Sequence, residues 1–332
     1  MKAFVHEGHK DFEGLSYRSD FPEPNVGAGD VKVAIKSAGL NHRDLFIVQK
    51  RHGAEDPALV IGSDGTGVVV ETGENVTGTH VGDEVVIIPS LRWEKKSPAP
   101  PESFDILGFP DNGTLAEQIV VSEKQIAPKP DYLTWEEAGV LPLSALTGYR
   151  ALFTRGGLKS GDRVFIPGIG SGVATYMLQM AKAAGATVIV SSRSREKLDK
   201  AKALGADILL DNGQDWSKAL NGEKVDLVIE SVGAATFHRS LELLKAGGTI
   251  VSFGASAGDE FPLNIREFFY NQWSLHGSTM GSIEEFHEML DLFSKSQIHP
   301  VIDSTYNLKD AEKALERLKN GSQFGKIAIR IS

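Results

Sequence analysis

The spacing of apolar positions divides this chain into two kinds of segment. Residues 3–6, 15–18, 31–37, 65–73, 82–89 and 113–121 are short apolar or alternating runs separated by Gly and Pro. Such runs predict many short strands, hence a barrel-like β domain. Between them, residues 91–110 form a polar, Pro-rich excursion that reads as a surface lobe. Thr134-Trp-Glu-Glu137 is a capping box opening a helix, which is expected to break at Pro142 and resume toward Leu152. Beyond it the pattern becomes strand, helix, strand: apolar runs at 164–167, 187–190, 224–230, 249–254 and 273–278 alternate with helical segments at 173–184 and 195–204. That alternation predicts a parallel sheet. A second capping box, Ser282 to Glu285, precedes Ile283, Phe286, Leu290 and Phe293 on one helical face, and Ala311, Leu315 and Leu318 form a similar stripe. The last strand, 326–331, is expected to rejoin the first β domain. The expected architecture is therefore α/β: a β-barrel-type domain, 1–125 completed by 296–332, and a doubly wound parallel-sheet domain, 126–295.

Composition narrows the partners. A chain of 332 residues, 41% hydrophobic and 24% charged, can bury two cores. A formal net charge of -9 argues against nucleic acid or an anionic membrane surface. With no cysteine there is no disulfide, no thiolate nucleophile and no Cys-ligated metal. No apolar run reaches membrane-spanning length, and Met1-Lys-Ala-Phe-Val-His6 reads as a strand rather than a signal sequence, so a cytoplasmic location is expected.

The chemistry centres on Val164-Phe-Ile-Pro-Gly168-Ile-Gly170-Ser171-Gly172-Val173. A strand, closely spaced glycines and a helix N-terminus form a pyrophosphate cradle: the missing Cβ lets backbone approach the phosphates, and free N–H groups meet their charge. The last strict glycine position of that pattern falls on Val173, so an ordinary structural turn is the competing reading. The ends of the later strands supply further cofactor candidates: Ser191, Ser192 and Arg193, then Ser231 and Val232, then Phe253, Gly254 and Ala255, and finally Ser278. An NAD site usually carries an acid at the end of the second strand to bind the ribose 2′-hydroxyl. Ser192 stands there instead, followed by Arg193, whose planar fork suits a 2′-phosphate. The predicted cofactor is NADP(H). Alternatively this loop only caps the following helix through Ser194.

Several motifs together resemble the medium-chain dehydrogenase/reductase superfamily, in its zinc-free quinone-oxidoreductase-like branch. They are Gly39-Leu-Asn-His-Arg-Asp-Leu45, Ile61-Gly-Ser-Asp-Gly-Thr-Gly-Val68, Gly82-Asp-Glu-Val85, Asp111-Asn-Gly-Thr-Leu-Ala-Glu117, Leu141-Pro-Leu-Ser-Ala-Leu-Thr-Gly-Tyr149, the Gly-rich unit and Phe324-Gly-Lys-Ile327. The resemblance implies a GroES-like catalytic domain and a Rossmann domain, pairing as a homodimer or homotetramer, and a small-molecule substrate. It also implies roles for Asn41 and Thr147 at the nicotinamide and for Lys326 near the cofactor. Zinc alcohol dehydrogenases carry Cys, His and Cys where this chain has Asn41, Ser63 and Leu143, and a Glu where it has Asp64. No metal is therefore expected, and the implied reaction is NADPH-dependent hydride delivery to a quinone or an α,β-unsaturated carbonyl compound. Two other readings stay open: an alcohol dehydrogenase with an improvised metal site of His42, Asp44 and Asp64, or a dinucleotide-binding protein with little turnover. Asp44 is either a catalytic-site carboxylate or a buried group orienting local backbone.

Overall fold

The strand Asp30–Gly39 is the hub of the first unit of the fold. Its burial alternates along its first half and becomes continuous at Ala38 and Gly39, as expected for a strand whose end runs into a core. In the computed structural model, which describes residues 1–9, 11–51, 53 and 57–331, this strand pairs antiparallel with Asp64–Thr72, Gln118–Ser122 and Lys326–Arg330. The sheet extends through Glu84–Ile87 to Ile126–Pro128 on one side and through Ile302–Asn307 on the other. A smaller sheet joins Leu15–Arg18, Ala3–His6 and Leu59–Val60. The C-terminal strand thus completes the N-terminal unit, which consists of Met1–Ser144 and Gly281–Ser332. The sequence pattern sets the division at 125/126 and 295/296.

The excursion at 91–110 is more than a surface lobe. Trp93 is fully buried, edge-on to Phe104, and its indole donates to Ser97. Its carbonyl accepts from Ile283 N–H at the start of the helix Ile283–Ser296, while Ser90 donates to Gly281 O. The capping box at Ser282 and Glu285 is present, and Phe286, Leu290 and Phe293 are buried on the predicted face, joined by Met289. The strand Ile302–Asn307 was not anticipated: its residues Ile-Asp-Ser-Thr-Tyr-Asn carry no apolar run, and it lies at a sheet edge.

The second unit, Ala145–Met280, holds a wholly parallel sheet. Its order is Ile208–Asp211, Thr187–Ser192, Arg163–Ile166, Val225–Glu230, Leu244–Ser252, Ser274–Gly277. Strand order reverses at Arg163–Ile166, so the carboxyl end of that strand is where a doubly wound sheet leaves a ligand crevice. Its central strands are continuous apolar runs, Val164–Ile166 and Val188–Val190, buried on both faces. No helix among the described residues is long and apolar enough to cross a membrane.

Candidate functional site

Two clusters emerge, one in each unit. The first gathers around the N-terminus of the helix His42–Lys50, whose N-cap is Asn41. Asp44 Oδ2 accepts from Asn41 N–H at 2.7 Å, which fixes the entry of the helix. The Asn41 side chain is engaged at both ends. Its Oδ1 accepts from Lys326 Nζ at 2.6 Å and from Ser144 Oγ at 2.9 Å, and its Nδ2 donates to Asp64 Oδ2 at 2.9 Å. Lys326 Nζ also reaches Asp64 Oδ2 at 3.0 Å, Leu40 O at 2.8 Å and Ser144 Oγ at 3.2 Å. The other Asp64 oxygen accepts Leu143 N–H at 2.6 Å, at the first turn of the helix Pro142–Tyr149, where a helix N-terminus favours negative charge. Both members of the ion pair are withdrawn from water, with side-chain exposures of 3% for Lys326 and 0% for Asp64.

Asp44 differs from Asp64. Its Oδ1 is buried without a partner, and burial pushes its carboxyl up to about 6. His42 is exposed at the start of the same helix, yet its crowded surroundings, and next the charge of Lys326, lower its pKa. Arg43 bonds Ser63, the chain neighbour of the Lys326 partner Asp64: its Nη1 donates to Ser63 Oγ and to Leu107 O, both at 2.9 Å.

The second cluster lies at the carboxyl ends of the parallel strands. Gly168 and Gly170 adopt φ of 73° and 128°, in the region that favours glycine. A Cβ at Gly168 would come within 2.8 Å of Val232, and one at Gly170 within 2.8 Å of the Lys197 stem. Ser171 caps the helix Gly172–Ala183 through Ala174 N–H, and Val173 sits in its first turn. One neighbouring strand end is bonded to this turn, and the later strand ends are bonded to one another. Ile169 N–H donates to Ser191 O, Ser278 N–H to Ser252 O, and Phe253 N–H to Glu230 O. Gly254 packs on Ser231, where a Cβ would meet its carbonyl at 2.9 Å. Ala255 packs against Gly233. The buried Glu230 accepts from Val232 and Gly233 N–H and from the Thr236 and Ser240 hydroxyls, so it shapes the 231–233 turn. Ser192 Oγ accepts from Ser194 N–H, Ser191 Oγ is buried with no hydrogen-bond partner, and Arg193 is exposed. Thr147 belongs to this unit and contacts Met280 Sδ at 3.7 Å.

The structure therefore brings Asn41, Asp44 and Lys326 together in the first unit and the strand-end candidates together in the second. Sequence reasoning passed over Ser144, Arg43 and Lys197. Ser144 and Arg43 lie inside the family-like motifs, but their roles depend on closure across long chain separations; Lys197 carries no signal beyond its place in the first turn of the helix Arg195–Ala203.

Residues 27–131 match the alcohol dehydrogenase GroES-like domain family and residues 172–295 the zinc-binding dehydrogenase family. Crotonyl-CoA reductase of Streptomyces avermitilis is 30% identical, over 97% of this chain and 86% of its own. A crystal structure of an NAD-dependent alcohol dehydrogenase superposes with a TM-score of 0.93 at 34% identity, covering 100% of both chains. A 2-octenoyl-CoA carboxylase reductase in complex with NADP and 2-octenoyl-CoA gives 0.88 at 28% identity, covering 99% of this chain and 87% of that one. The chain belongs to the medium-chain dehydrogenase/reductase superfamily.

Two groups implied by that superfamily can be tested against these residues. The dinucleotide fits: the Gly168–Gly172 turn leaves room that a Cβ would fill, and a capped helix begins there. Zinc does not fit. The positions that carry Cys, His and Cys in zinc alcohol dehydrogenases hold an amide, a hydroxyl and an apolar side chain. The Asn41 side-chain oxygen accepts from Lys326 and Ser144 and its amide donates one hydrogen to Asp64, while Ser63 is held by Arg43 and Leu107. Two cations, Lys326 and Arg43, already occupy this neighbourhood and would repel a third. Among the described residues no group of three or more His, Asp or Glu side chains is arranged to hold a metal ion, so His42, Asp44 and Asp64 form no such set.

Proposed function

We propose that this protein is an NADPH-dependent reductase of conjugated carbonyl compounds, enoyl thioesters and enones first and quinones next, that works without zinc. The observation that carries this reading is the replacement of a metal-ligand set by Asn41, Ser63 and Leu143, with the Lys326–Asp64 ion pair bonded into the same cluster. A metal can stabilise a developing alkoxide as a Lewis acid, whereas in a conjugated acceptor the charge is delocalised onto a carbonyl oxygen that hydrogen-bond donors can meet. The similarity to a crotonyl-CoA reductase and to a 2-octenoyl-CoA carboxylase reductase supports an enoyl acceptor, and the NADP in the latter supports the cofactor.

NADPH, when bound, supplies the hydride. In the balanced reaction hydride joins the carbon β to the carbonyl, the π pair moves to the carbonyl oxygen, and a solvent proton at the α carbon completes the saturated product. The chain orients and shields. The Gly168–Gly172 turn and the Ser171-capped helix bind phosphate; Ser192 and Arg193 meet the 2′-phosphate. One Asn41 Nδ2 hydrogen remains for an acceptor oxygen after Asp64 takes the other. Thr147 packs on the nicotinamide.

The test is NADPH oxidation by metal-analysed, tag-free protein over a panel of enoyl thioesters, enals, enones, quinones and alcohols, with and without chelator. Turnover with conjugated acceptors, unaffected by chelation, is the expected result. Stoichiometric zinc together with NAD-dependent alcohol oxidation would replace this reading with that of the NAD-dependent alcohol dehydrogenase it resembles.

A further inference from the structure

The Arg43 guanidinium is not absorbed by the cofactor site or by the Lys326 network. It is half-buried at the second position of the helix His42–Lys50. Its Nη1 donates to Ser63 Oγ and Leu107 O at 2.9 Å each, and its Nη2 donates to Ile106 O at 3.4 Å. Ser63 Oγ donates to the same Leu107 oxygen at 2.7 Å, so the fork is held at one end by a closed triangle. None of these partners is a carboxylate. The acids that face it, Asp44, Asp64 and Asp105, act from beyond ion-pair distance. Asp64 is paired with Lys326, and Asp105 with Arg92.

A guanidinium has five N–H donors and does not lose its charge in proteins. Three are used here, which leaves the Nε hydrogen and one Nη2 hydrogen without a partner among the described residues. A half-buried cation with spare donors and, among the described residues, no carboxylate within ion-pair distance is stabilised when an acceptor oxygen joins it. Its fixed end is Ser63, the neighbour of Asp64, and Asp64 is bonded to Asn41. The spare donors therefore belong to the same helix N-terminus as the remaining Asn41 hydrogen.

We propose that Arg43 is the anchor for the acceptor's carbonyl oxygen: its Nε–H and remaining Nη2–H bind that oxygen and the negative charge that gathers there as the conjugated bond is reduced. This rests on the reductase reading above. It assigns Arg43 the electrostatic task that a metal performs elsewhere in the superfamily, with Lys326 confined to holding Asn41 and Asp64 in place. It also sets a preference for acceptors whose conjugated oxygen can take two hydrogen bonds.

The experiment compares wild type with Arg43→Ala and Arg43→Lys in two assays. The first is NADPH-dependent reduction of a crotonyl thioester and of 1,4-benzoquinone. The second is calorimetric binding of the saturated butyryl thioester to the complex with oxidised dinucleotide. Arg43→Ala should lower kcat for the thioester at least 30-fold while leaving dinucleotide affinity within twofold, and guanidinium ion at tens of millimolar should restore part of the rate. Arg43→Lys, which keeps the charge but not the planar fork, should fall between. Butyryl thioester binding should weaken at least tenfold in Arg43→Ala. Variants that fold and bind dinucleotide, yet stay within threefold of wild type in both assays, would overturn the proposal. If wild type reduces no acceptor, the reductase reading fails and binding alone decides: Arg43-dependent binding keeps the anchor, whereas equal binding, or none, removes it. Should Arg43→Ala fail to fold, Arg43→Lys carries the comparison: an intermediate loss of more than threefold in both assays is expected, and values within threefold of wild type would overturn the proposal.

Discussion

Lys326 Nζ lies 2.6 Å from Asn41 Oδ1, joining residues 285 positions apart in the chain. The same ammonium is paired with Asp64, so the last strand of the chain locks the N-cap of the helix His42–Lys50 from within the core.

The first prediction follows from that lock. Lys326→Met leaves Asp64 buried with its N–H donors but without its ion-pair partner. Breaking one side of such a pair costs about 3–5 kcal/mol. A matching loss in denaturant unfolding is expected, and the double variant Lys326→Met/Asp64→Asn should recover at least half of it. If the single variant unfolds within about 1 kcal/mol of wild type, the pair behaves like an exposed one and the network is not a structural lock.

How much of this could be read from the chain alone differs between fold and site. The strands Ala3–His6 and Leu15–Arg18 are legible because apolar residues and turn-formers alternate at short range, and the helix Ile283–Ser296 because its capping box and its stripe of Phe286, Leu290 and Phe293 agree. The β-rich first domain and the parallel sheet follow from such local signals, whereas the GroES-like and Rossmann assignments come with the family resemblance. The helix Ala234–Leu243 was not read, since it begins behind Gly233 at φ 93° without a side-chain cap. Candidates Asn41 and Lys326 were marked by motif, but nothing local in either motif indicates that one side chain bonds the other. That contact depends on the antiparallel pairing of Lys326–Arg330 with Asp30–Gly39, a tertiary event. Arg43 likewise declares itself only once the backbone of Ile106 and Leu107 comes within its reach.

The second prediction concerns Asp44. Its folded carboxyl sits at about 6, above its ordinary value of 3.8, because it is buried. Between those values the folded chain holds a proton that the unfolded chain has released, so this stabilising term is full below pH 4 and is lost as pH rises through 6. Two units correspond to roughly 3 kcal/mol. Asp44→Asn keeps an acceptor for Asn41 N–H and cannot ionise. Its stability relative to wild type should therefore improve on going from pH 4 to pH 7.5. Parallel pH–stability curves for the two proteins would show that Asp44 does not titrate in this window.

The third concerns assembly. Ser274–Gly277 is an edge strand of the parallel sheet, and the preceding helix exposes Ile265, Phe269 and Tyr270 at 65%, 49% and 72%. An open edge beside an apolar patch invites pairing with a second copy. Light scattering at micromolar concentration should give at least a dimer. The double change Ile265→Glu/Tyr270→Glu should shift it toward monomer without loss of helix content. A monomeric wild type would refute this assembly.

The last prediction is cofactor choice. The strand Thr187–Ser192 ends without an acid: Ser192 stands where a carboxylate would bind a ribose 2′-hydroxyl and repel a 2′-phosphate. Ser192 already accepts from Ser194 N–H, and its hydroxyl hydrogen remains to donate. Arg193 is exposed beside it, able to swing onto a phosphate with its planar fork. Lys197 adds a third positive or donating group: an ideal Cβ at Gly170 would lie 3.3 Å from its Nζ, so the ammonium lies over the Gly-rich turn. By contrast Arg195 pairs with Asp199 on the following helix and is a weaker candidate. NADPH should accordingly bind at least tenfold more tightly than NADH, about 1.4 kcal/mol. Arg193→Ala and Lys197→Ala should each weaken NADPH several-fold and leave NADH within twofold. Titration of both cofactors into the three proteins decides the matter, with the melting temperature of each as a check on folding. Equal affinities in wild type, or equal losses for both cofactors in the variants, would show that this loop caps a helix and does not read the 2′-phosphate.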